Sequence, residues 1–556
     1  MNFKKAGIIF LIILFSFFVW LYFRTKIYPP EQDLTVINPT IKRIQWGNNF
    51  KYGNNWLIKD REGVYRMYVE GDDFERGYAN GILTKELAQE QELYFVNEIN
   101  KKIPSSFYQF ILKVFIGWFN RDIDKHIPLE YKKEIYGVSL FASKEYSYIA
   151  PPYQRLLNYH AAHDIGHAVQ NMHLVACTAL GTWENSTSDS TMYIGRNFDF
   201  YVGDDFAKNK IIAFVNPKKG YPFMSVTWGG MIGVLSGMNL QGLTITLNAD
   251  KSGMPSGTGT PVSIIAREIL QYASTIDEAF AIAKKHKSFV SESFMIGSAN
   301  DKKIAIIEKT PETTQLFYSN DSKIICANHF QSDSLNHTLL NIEDMKDSTS
   351  VYRQNRVQEL LNAIPKMNEK EMARILRDQS GLKNQSIGMG NPKAINQLIA
   401  HHSIIFNPYK KLVWISTNPY QLGEYQAYNL DKIFKNPQNI NEISDKSLTI
   451  PIDSFLLSKS YADFVFYKKT AVEISKGIKN DKNFNLTSQQ IEDFIASNSK
   501  YYNVYLLIGE YFQQKENYKQ AIKYYQQGLK RELPSVADRE NIIKKISVCN
   551  EKLQKK

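Results

Sequence analysis

The N-terminal part of the chain carries a long apolar run without a charge. Residues 6–23 read AGIIFLIILFSFFVWLYF. As a helix with a rise of ~1.5 Å per residue, this run is about 27 Å long, close to the hydrocarbon thickness of a bilayer. Trp20 and Tyr22 stand near one end, where aromatic side chains meet the membrane surface. The pattern predicts a single membrane-spanning helix within residues 1–27.

Two interpretations of this segment differ in whether it is retained. No small-x-small cleavage site ends the run and no lipid-acceptor cysteine follows it, so we expect an uncleaved anchor rather than a signal peptide. Lys4 and Lys5 precede the run and Arg24 and Lys26 follow it, so the flanking charge does not decide the orientation. A retained signal anchor would place the large domain outside the cytoplasm, in the periplasm of a Gram-negative cell.

The next two segments differ in pattern. Residues 28–60 are mixed and polar after a Pro-Pro pair, and they are predicted to form a tether. Loose alternation at Val64–Val69 predicts a strand, and an acidic pair after it can cap a long helix from about Phe74. A helical pattern, interrupted by prolines, continues to about Val169. We therefore expect residues 61–176 to form a mainly helical part.

The pattern changes to short β-rich runs after this helical part, with glycine-containing turns between them. Strands, then helices, then strands again predict an α+β layered domain over residues 177–435. The predicted strands are Thr178–Trp183, Tyr193–Asn197, Lys210–Val215, Phe223–Trp228, Ile232–Met238, Leu243–Asn248, Phe294–Gly297, Ile304–Glu308, Thr314–Tyr318, Lys323–Ala327, Ser403–Asn407 and Leu412–Thr417. The predicted helices are Val262–Ala273, Ile276–Lys285, Arg353–Ala363 and Glu369–Arg377.

The C-terminal part, residues 446–556, is predicted to be α-helical. One unit of it places small and aromatic residues close to the spacing of a tetratricopeptide repeat. A single unit cannot bury its face alone, so it should pack on neighbouring helices and could also receive a protein partner. An ordinary helical hairpin is the alternative. The residues at the repeat spacing are Tyr505, Gly509, Phe512, Tyr518, Ala521, Tyr525 and Pro534.

Composition narrows the classes of function. The net charge of +11 is spread among acidic residues without a long block of one sign, which argues against nucleic acid as a partner and allows mild attraction to an anionic membrane. A 43% hydrophobic content excludes global disorder. The three cysteines, Cys177, Cys326 and Cys549, are odd in number and far apart, which argues against a disulfide framework or a cysteine zinc site.

Candidate chemistry begins at Cys177. The chain reads CTALGTWENSTSDSTMYIGRNFDF from there, then GGMIGVLSGMNLQGLTITLNAD, then CANHF. Arg196 and Asp199 end the second predicted strand, and burying them costs several kcal/mol unless they are paired. The set resembles the N-terminal-nucleophile (Ntn) hydrolases, nearest to penicillin acyltransferase, acid ceramidase and N-acylethanolamine acid amidase, and more distantly bile-salt hydrolase. The resemblance covers residues 64–420, is strongest over 177–330, and implies a four-layer αββα core.

The resemblance implies how Cys177 would act. The bond between Ala176 and Cys177 would break autocatalytically, so that the cysteine becomes a chain terminus. A free α-amino group, with a pKa of about 7.7–8, can then take the thiol proton. Arg196 would favour the thiolate, and Asp199 would bind and orient the new amine.

Three further positions follow from the same resemblance. Asn248 and Asn328 match family positions around the oxyanion and the nucleophile amine, where an amide donor contributes roughly 3–4 kcal/mol. A distal arginine also recurs, and both Arg353 and Arg356 are available for it. The loop between Cys177 and the first arginine is a few residues longer than in several relatives.

The expected function is that of an amidohydrolase or an acyltransferase, working through an acyl-thioester on Cys177 without a cofactor. The substrate would be an N-acyl amide or an acyl thioester, and membrane anchoring favours a lipid-like one. Water or an amine would take the acyl group, and the sequence leaves that choice open. One alternative is an envelope scaffold that uses the helical repeat and carries an inert Ntn-like domain. Another is self-cleavage for maturation only.

A histidine cluster just before the predicted cleavage site offers a competing signal. His160, His163 and His167 share one helical face with Asp164, and such a set could hold a metal ion. A polar helix face that packs on the nucleophile domain, or that supports self-cleavage, explains the spacing equally. We expect no metal here.

Overall fold

The computed structural model describes residues 3–161, 164, 175–201, 203–251, 253 and 257–555. The architecture is α+β, with two β-sheets, helices on both of their outer faces and a helical C-terminal region. The helices within the first 160 residues are α1 (Phe3–Thr25), α2 (Asp73–Lys102), α3 (Ser106–Phe119), α4 (Leu129–Ser139) and α5 (Pro152–His160). Among the described residues, Gly7–Thr25 is the one helical stretch long and apolar enough to cross a membrane, a property that signal sequences share.

The first sheet has eleven strands in the order β1-β2-β3-β4-β7-β8-β9-β10-β11-β12-β13. Strands β4 and β7 pair in parallel, and the other neighbours in this sheet pair antiparallel. Its strands are β1 (Ile44–Trp46), β2 (Asn49–Tyr52), β3 (Asn55–Lys59), β4 (Tyr65–Gly71), β7 (Ile211–Pro217), β8 (Phe223–Thr227), β9 (Ser236–Asn239), β10 (Leu243–Ala249), β11 (Glu292–Ser298), β12 (Lys303–Lys309) and β13 (Thr314–Phe317).

The second sheet has seven antiparallel strands in the order β14-β5-β6-β15-β16-β17-β18. The hairpin of β5 and β6 lies near its centre and carries the residues of greatest chemical interest. The strands are β5 (Val175–Trp183), β6 (Met192–Phe200), β14 (Lys323–Cys326), β15 (His402–Asn407), β16 (Leu412–Ser416), β17 (Tyr425–Asn429) and β18 (Ser444–Ile450).

The remaining helices cover the sheets and form the C-terminal region. They are α6 (Val262–Tyr272), α7 (Ile276–Lys285), α8 (Asp333–Asn336), α9 (Leu339–Asp347), α10 (Ser350–Ala363), α11 (Glu369–Leu376), α12 (Leu430–Lys435), α13 (Lys459–Asn480), α14 (Ser488–Ser497), α15 (Tyr502–Gln514), α16 (Tyr518–Leu529) and α17 (Val536–Gln554).

Three apolar clusters hold the layers together. Side chains from both sheets, among them Ala179, Ile194, Met238 and Met295, form the core between the sheets. Helices α2, α4, α6 and α7 bury their apolar faces on the outside of the first sheet. Helices α10 and α11 do the same on the second sheet. The layers therefore follow the order helix, sheet, sheet, helix, which is the arrangement that the resemblance implied.

The predicted tether, residues 28–60, is wrong for its second half. Residues 44–59 form three strands that extend the first sheet, and Trp56 and Leu57 are fully buried there. Two glycines with positive φ, Gly47 (57°) and Gly53 (59°), make the turns between these short strands. The polar residues of this segment did not predict strands, because only the third strand is buried along most of its length.

Two other boundaries also differ from the predictions. The expected strand Ile232–Met238 forms only from Ser236, because the N–H groups of Ile232 and Val234 donate to His160 Nε2 and to the Ser263 carbonyl instead of to a neighbouring strand. The second sheet also continues beyond residue 435, through strand β18, so the layered domain ends near Ile450.

The C-terminal region is helical, as expected, and it packs on the layered domain. Helices α15 and α16 form a close hairpin, in which a Cβ on Gly509 would lie 2.4 Å from the Tyr525 ring. Asn498 Nδ2 donates to the Met389 carbonyl at 2.8 Å, which ties the region to the layered domain. The tetratricopeptide interpretation of this hairpin stays a prediction.

Candidate active site

Cys177 lies on strand β5 at the inner end of the β5–β6 hairpin and is 1% exposed. The register of the hairpin places Phe198 opposite Cys177, Asp199 opposite Ala176 and Arg196 opposite Ala179. The hairpin alone therefore brings three predicted site residues together. This is a local consequence of two strands joined by a short connection, and it explains the fixed spacing in the sequence.

The Arg196 guanidinium contacts the sulfur of the cysteine. Its Nη2 donates to Cys177 Sγ at 3.4 Å and also to the Leu247 carbonyl, while Nη1 donates to Ser236 Oγ at 2.6 Å. Burial raises the pKa of the Cys177 thiol to about 11, and the arginine charge acts in the opposite direction. In the intact chain the thiol is therefore neutral at pH 7, with a cation in place to stabilise the thiolate once the site opens or a base appears.

Asp199 is fully buried and lies opposite Ala176, beside the peptide bond between Ala176 and Cys177. Its Oδ2 accepts a 3.5 Å contact from Gln397 Nε2, and its Oδ1 has no hydrogen-bond partner among the described residues. Burial raises the pKa of this carboxyl to about 7, although Arg353 and Arg196 both oppose that rise. An incompletely satisfied carboxyl opposite Ala176 is suited to receive a positive charge that forms when the neighbouring bond breaks.

Asn328 connects the cysteine backbone to the end of the first sheet. Its Oδ1 accepts the Cys177 backbone N–H at 3.0 Å, and its Nδ2 donates to the Ala249 carbonyl at 2.7 Å. Its own N–H donates to Ser350 Oγ at 2.7 Å. The side chain thus recognises the nitrogen that would become the α-amino group.

The structure separates the two arginine candidates on helix α10. Arg353 donates from Nη2 to Asn328 Oδ1 at 2.6 Å, and from Nη1 to the Cys177 carbonyl. Arg356 instead forms an ion pair with Asp378, with Nε 2.8 Å from Oδ2, outside the cysteine site. Of these two arginines, the geometry therefore assigns Arg353 to the site and Arg356 to a supporting ion pair.

Asn248 lies at the site but is engaged differently from the prediction. Its Nδ2 donates to the Cys326 and Ala327 carbonyls, each at 2.8 Å. Both amide hydrogens are thereby used, and Oδ1 has no partner among the described residues. Asn248 therefore holds the segment that leads to Asn328, and in this arrangement its NH₂ group is not free to donate to an oxyanion.

An apolar pocket lies next to the cysteine site. Arg196 Nη1 reaches the Leu235 carbonyl at 3.4 Å, and Leu235 is one of the pocket's walls. Phe200, which ends strand β6, stacks on Trp228 with ring centres 6.5 Å apart. The other walls come from helices α2, α4 and α5, from the loop after α4, and from the segments after strand β6 and before strand β9; they are Gly81, Ala88, Gln91, Glu92, Phe95, Val138, Phe141, Ala142, Leu156, Tyr159, Phe206, Gly229, Gly230 and Met231.

Of the predicted histidine cluster, the structure describes His160 and Asp164. His163 and His167 lie outside the described residues. His160 is buried, its Nε2 accepts the Ile232 N–H at 2.9 Å, and burial lowers its pKa to about 4. Asp164 accepts the Val262 N–H at 3.0 Å. Within the described ranges no set of three metal-binding side chains comes together, and His160 serves the packing of helix α5 on the pocket segment.

Several residues that support the site were missed by the sequence reasoning. Ser236 and His402 lie beside Arg196, with His402 Nε2 2.9 Å from Ser236 Oγ. Ser350 holds the Asn328 backbone. Glu292 is buried with no partner for either oxygen among the described residues, and burial raises its pKa well above the usual value. No spacing rule points to such residues, because they come from distant parts of the chain.

Comparison with known proteins identifies the region that carries this site. Residues 185–418 match the family model of acyl-coenzyme A:6-aminopenicillanic acid acyl-transferase. The predicted resemblance to penicillin acyltransferase is confirmed over these residues. The match includes Arg196, Asp199, Asn248, Asn328 and Arg353, and it begins just after Cys177.

Curated relatives and solved structures give weaker likenesses. An uncharacterized protein of Archaeoglobus fulgidus is 24% identical over 279 residues, which are 46% of this chain and 45% of the relative. Protein dcd1B of Dictyostelium discoideum is 22% identical over 277 residues, 46% of this chain and 53% of the relative. The chain thus spans about half the length of the curated relatives it matches.

Two solved structures are similar to part of this chain. The Caenorhabditis elegans ortholog of N-acylethanolamine-hydrolyzing acid amidase is 16% identical, with a TM-score of 0.30, over 42% of this chain and 93% of that one. A mutant of conjugated bile acid hydrolase from Clostridium perfringens is 16% identical, with a TM-score of 0.32, over 46% of this chain and 93% of that one.

Proposed function

We propose that this protein is a Cys-nucleophile amidohydrolase or acyltransferase that acts on N-acyl amides after cleaving its own chain between Ala176 and Cys177. The observation that carries the proposal is the constellation around one residue. Cys177 Sγ contacts Arg196, its backbone nitrogen is held by Asn328, and Asp199 lies opposite the bond to be broken.

Maturation needs no group beyond those of the site. The Cys177 sulfur attacks the Ala176 carbonyl carbon, the C–N bond breaks as the thiol proton passes to the leaving nitrogen, and the acyl group moves from nitrogen to sulfur. Water then hydrolyses this thioester, which leaves a carboxylate on Ala176 and a free α-amino group and thiol on Cys177. The freed ammonium forms next to the buried Asp199 carboxyl, which stabilises it.

Turnover would use the same atoms. The α-amino group takes the thiol proton, and the thiolate attacks the amide carbonyl of the substrate. The leaving amine takes the proton back, and an acyl-thioester remains on Cys177. Water, activated by the α-amino group of Cys177, then releases a carboxylic acid. An acceptor amine would instead receive the acyl group. Arg196 stabilises the thiolate, and Arg353 holds Asn328 in place.

The substrate side of the proposal rests on the pocket. Its walls are mainly aliphatic and aromatic, and a pocket of this kind suits an acyl chain rather than a charged headgroup. Helix α1 is long and apolar enough to anchor the protein in a membrane, and the proposal places the layered domain outside the cytoplasm. A lipid-like N-acyl amide would reach such an enzyme from the bilayer.

The test is a product analysis with a covalent readout. Processed protein is mixed with a series of N-acyl amides, quenched in acid and analysed by mass spectrometry. We expect the acyl mass on the fragment that begins at Cys177, with free fatty acid as the product in water and a new amide if an added amine is the acceptor. Processed protein that acquires no acyl group and releases neither product would leave only the maturation-only alternative.

A further inference from the structure

Helix α3 presents an apolar surface that the protein does not cover. None of the side chains of this 14-residue helix is buried. Soluble proteins seldom expose a contiguous patch of this kind, because each Å² of apolar surface in water costs roughly 25 cal/mol. The large apolar side chains that α3 exposes are Phe107, Tyr108, Phe110, Ile111, Phe115 and Trp118, by 39% to 65%.

This surface continues that of helix α1. The Phe18 and Phe110 rings lie 6.4 Å apart, and a Cβ on Gly117 would lie 3.8 Å from Thr25 Cβ. Seven residues separate the two contacts on each helix, so α1 and α3 run side by side in the same direction over about two turns. The exposed side chains of both helices therefore form one continuous apolar surface.

Aromatic and basic groups gather where both helices end. The Trp20 and Trp118 rings lie 5.7 Å apart, and the Arg121 guanidinium lies 4.1 Å from the Trp118 ring. Arg24 pairs with Asp122 at 3.1 Å. Tryptophan and arginine at one level are typical of the zone between acyl chains and headgroups.

The one charged residue inside α3 lies away from its apolar face. Lys113 is itself exposed, and its Nζ donates to the Tyr148 carbonyl on the side of the helix away from Ile111 and Phe115, so the apolar face carries no charge. A helix of 14 residues is about 21 Å long, which is too short to cross a bilayer but long enough to lie within one leaflet.

We propose that α3 is a second membrane element, embedded beside the C-terminal half of α1 in the same leaflet, with phospholipid acyl chains covering its exposed side chains. The proposal rests on the proposed anchoring by α1. The bilayer is the occupant because it is the one partner that the continuous surface of α1 and α3 would share.

This placement brings the pocket to the membrane surface. Asn120, which caps the end of α3, donates from Nδ2 to Asn158 Oδ1 at 3.0 Å on helix α5. The next residue on α5, Tyr159, lines the pocket and packs on Phe95 of helix α2. The embedded helix is thus bonded to the wall that would receive an acyl chain.

The test uses the full chain with the Cys177→Ala change, in which the remaining cysteines, Cys326 and Cys549, are buried and should stay unlabelled in the folded protein. Single Phe110→Cys, Ile12→Cys and Leu339→Cys variants are labelled with an environment-sensitive fluorophore and reconstituted in phosphatidylcholine vesicles. Ile12 on α1 is the embedded control, and Leu339, 79% exposed on α9, is the aqueous control. Lipids brominated along their acyl chains should quench the labels at positions 110 and 12 several-fold, and leave the label at 339 unchanged.

The outcomes separate the two proposals. A label at 110 that stays unquenched while the one at 12 is quenched overturns the role of α3 and leaves the anchor intact. Failure at both positions overturns the anchor and the inference with it. A label at 110 that is shielded from water without lipid, in a manner that depends on protein concentration, would assign the surface to a second copy and overturn the bilayer. A Phe115→Cys variant repeats the measurement if the first one fails to fold.

Discussion

Asn328 Oδ1 accepts the backbone N–H of Cys177 at 3.0 Å. The same oxygen accepts a hydrogen bond from Arg353 Nη2 at 2.6 Å. The nitrogen that would become the catalytic base is therefore already fixed in the uncleaved chain, before any base exists. Maturation would then change the charge of that nitrogen without moving its partners.

Replacing Arg353 should impair chemistry more than stability. In Arg353→Met the Asn328 amide loses its charged partner, so we expect self-cleavage to slow by about 100-fold, as when a preorganised donor is lost. The measurement is the fraction of cleaved chain against time. Arg356→Met is the matched control from the same helix: it should lower the melting temperature through loss of the Asp378 ion pair and leave the cleavage rate of the folded protein within a few-fold. Equal slowing by both variants would contradict the assignment.

The buried Asp199 predicts how the stability of the uncleaved chain depends on pH. Its pKa is raised from 3.8 to about 7, so the folded state holds the proton more tightly than the unfolded state does. The stability that this group contributes is complete below pH ~4 and is lost as the pH rises through 7. In the uncleavable Cys177→Ala background, Asp199→Asn should therefore stabilise the chain more at pH 8 than at pH 5. Thermal melts at both values measure this, and a pH-independent difference would refute it.

Narrowing the pocket should change the preference for acyl chain length. Ala142 lines the pocket, and in Ala142→Trp the side chain would occupy part of it. Each excluded methylene loses up to ~0.8 kcal/mol of binding, so KM for a dodecanoyl amide should rise at least about 10-fold. An acetyl amide of the same leaving group is the internal control, and its kcat/KM should stay within twofold. Parallel losses for both substrates would show that the pocket does not bind the acyl chain.

Before cleavage, Asn248 should act by positioning the segment that contains Cys326 and Ala327. Asn248→Ala removes the amide donor that the Cys326 and Ala327 carbonyls share, which costs about 1–3 kcal/mol for each buried carbonyl left unsatisfied. We expect a lower melting temperature together with slower self-cleavage. Slower cleavage at an unchanged melting temperature would instead assign Asn248 to the oxyanion.

The sequence predicted the parts of the site that depend on one hairpin. Cys177, Arg196 and Asp199 come from two adjacent strands, and their spacing fixes their register. Asn328 and Arg353 required the family resemblance, because they reach the cysteine from 151 and 176 residues away. Spacing alone carries no information about such contacts.

Other parts of the structure left no local signal. Strand β1 is exposed and strand β3 is buried on both faces, so neither shows the alternation that marks a strand, and β2 alternates over only four residues. Ile232 and Val234 look like strand residues, yet their N–H groups bond to His160 and Ser263. Hydrogen bonds to distant parts of the chain determine the conformation of this segment. The apolar pattern of residues 232–235 therefore reflects burial rather than strand pairing.

The most direct measurement of the central claim is N-terminal sequencing of the purified protein after electrophoresis. The intact chain has a mass of 64.1 kDa. We predict that the wild-type protein yields a large fragment whose first residue is Cys177, that Cys326→Ala yields the same fragment, and that Cys177→Ala yields none. A wild-type chain that stays intact after prolonged incubation, or a fragment that begins at another residue, would contradict the account.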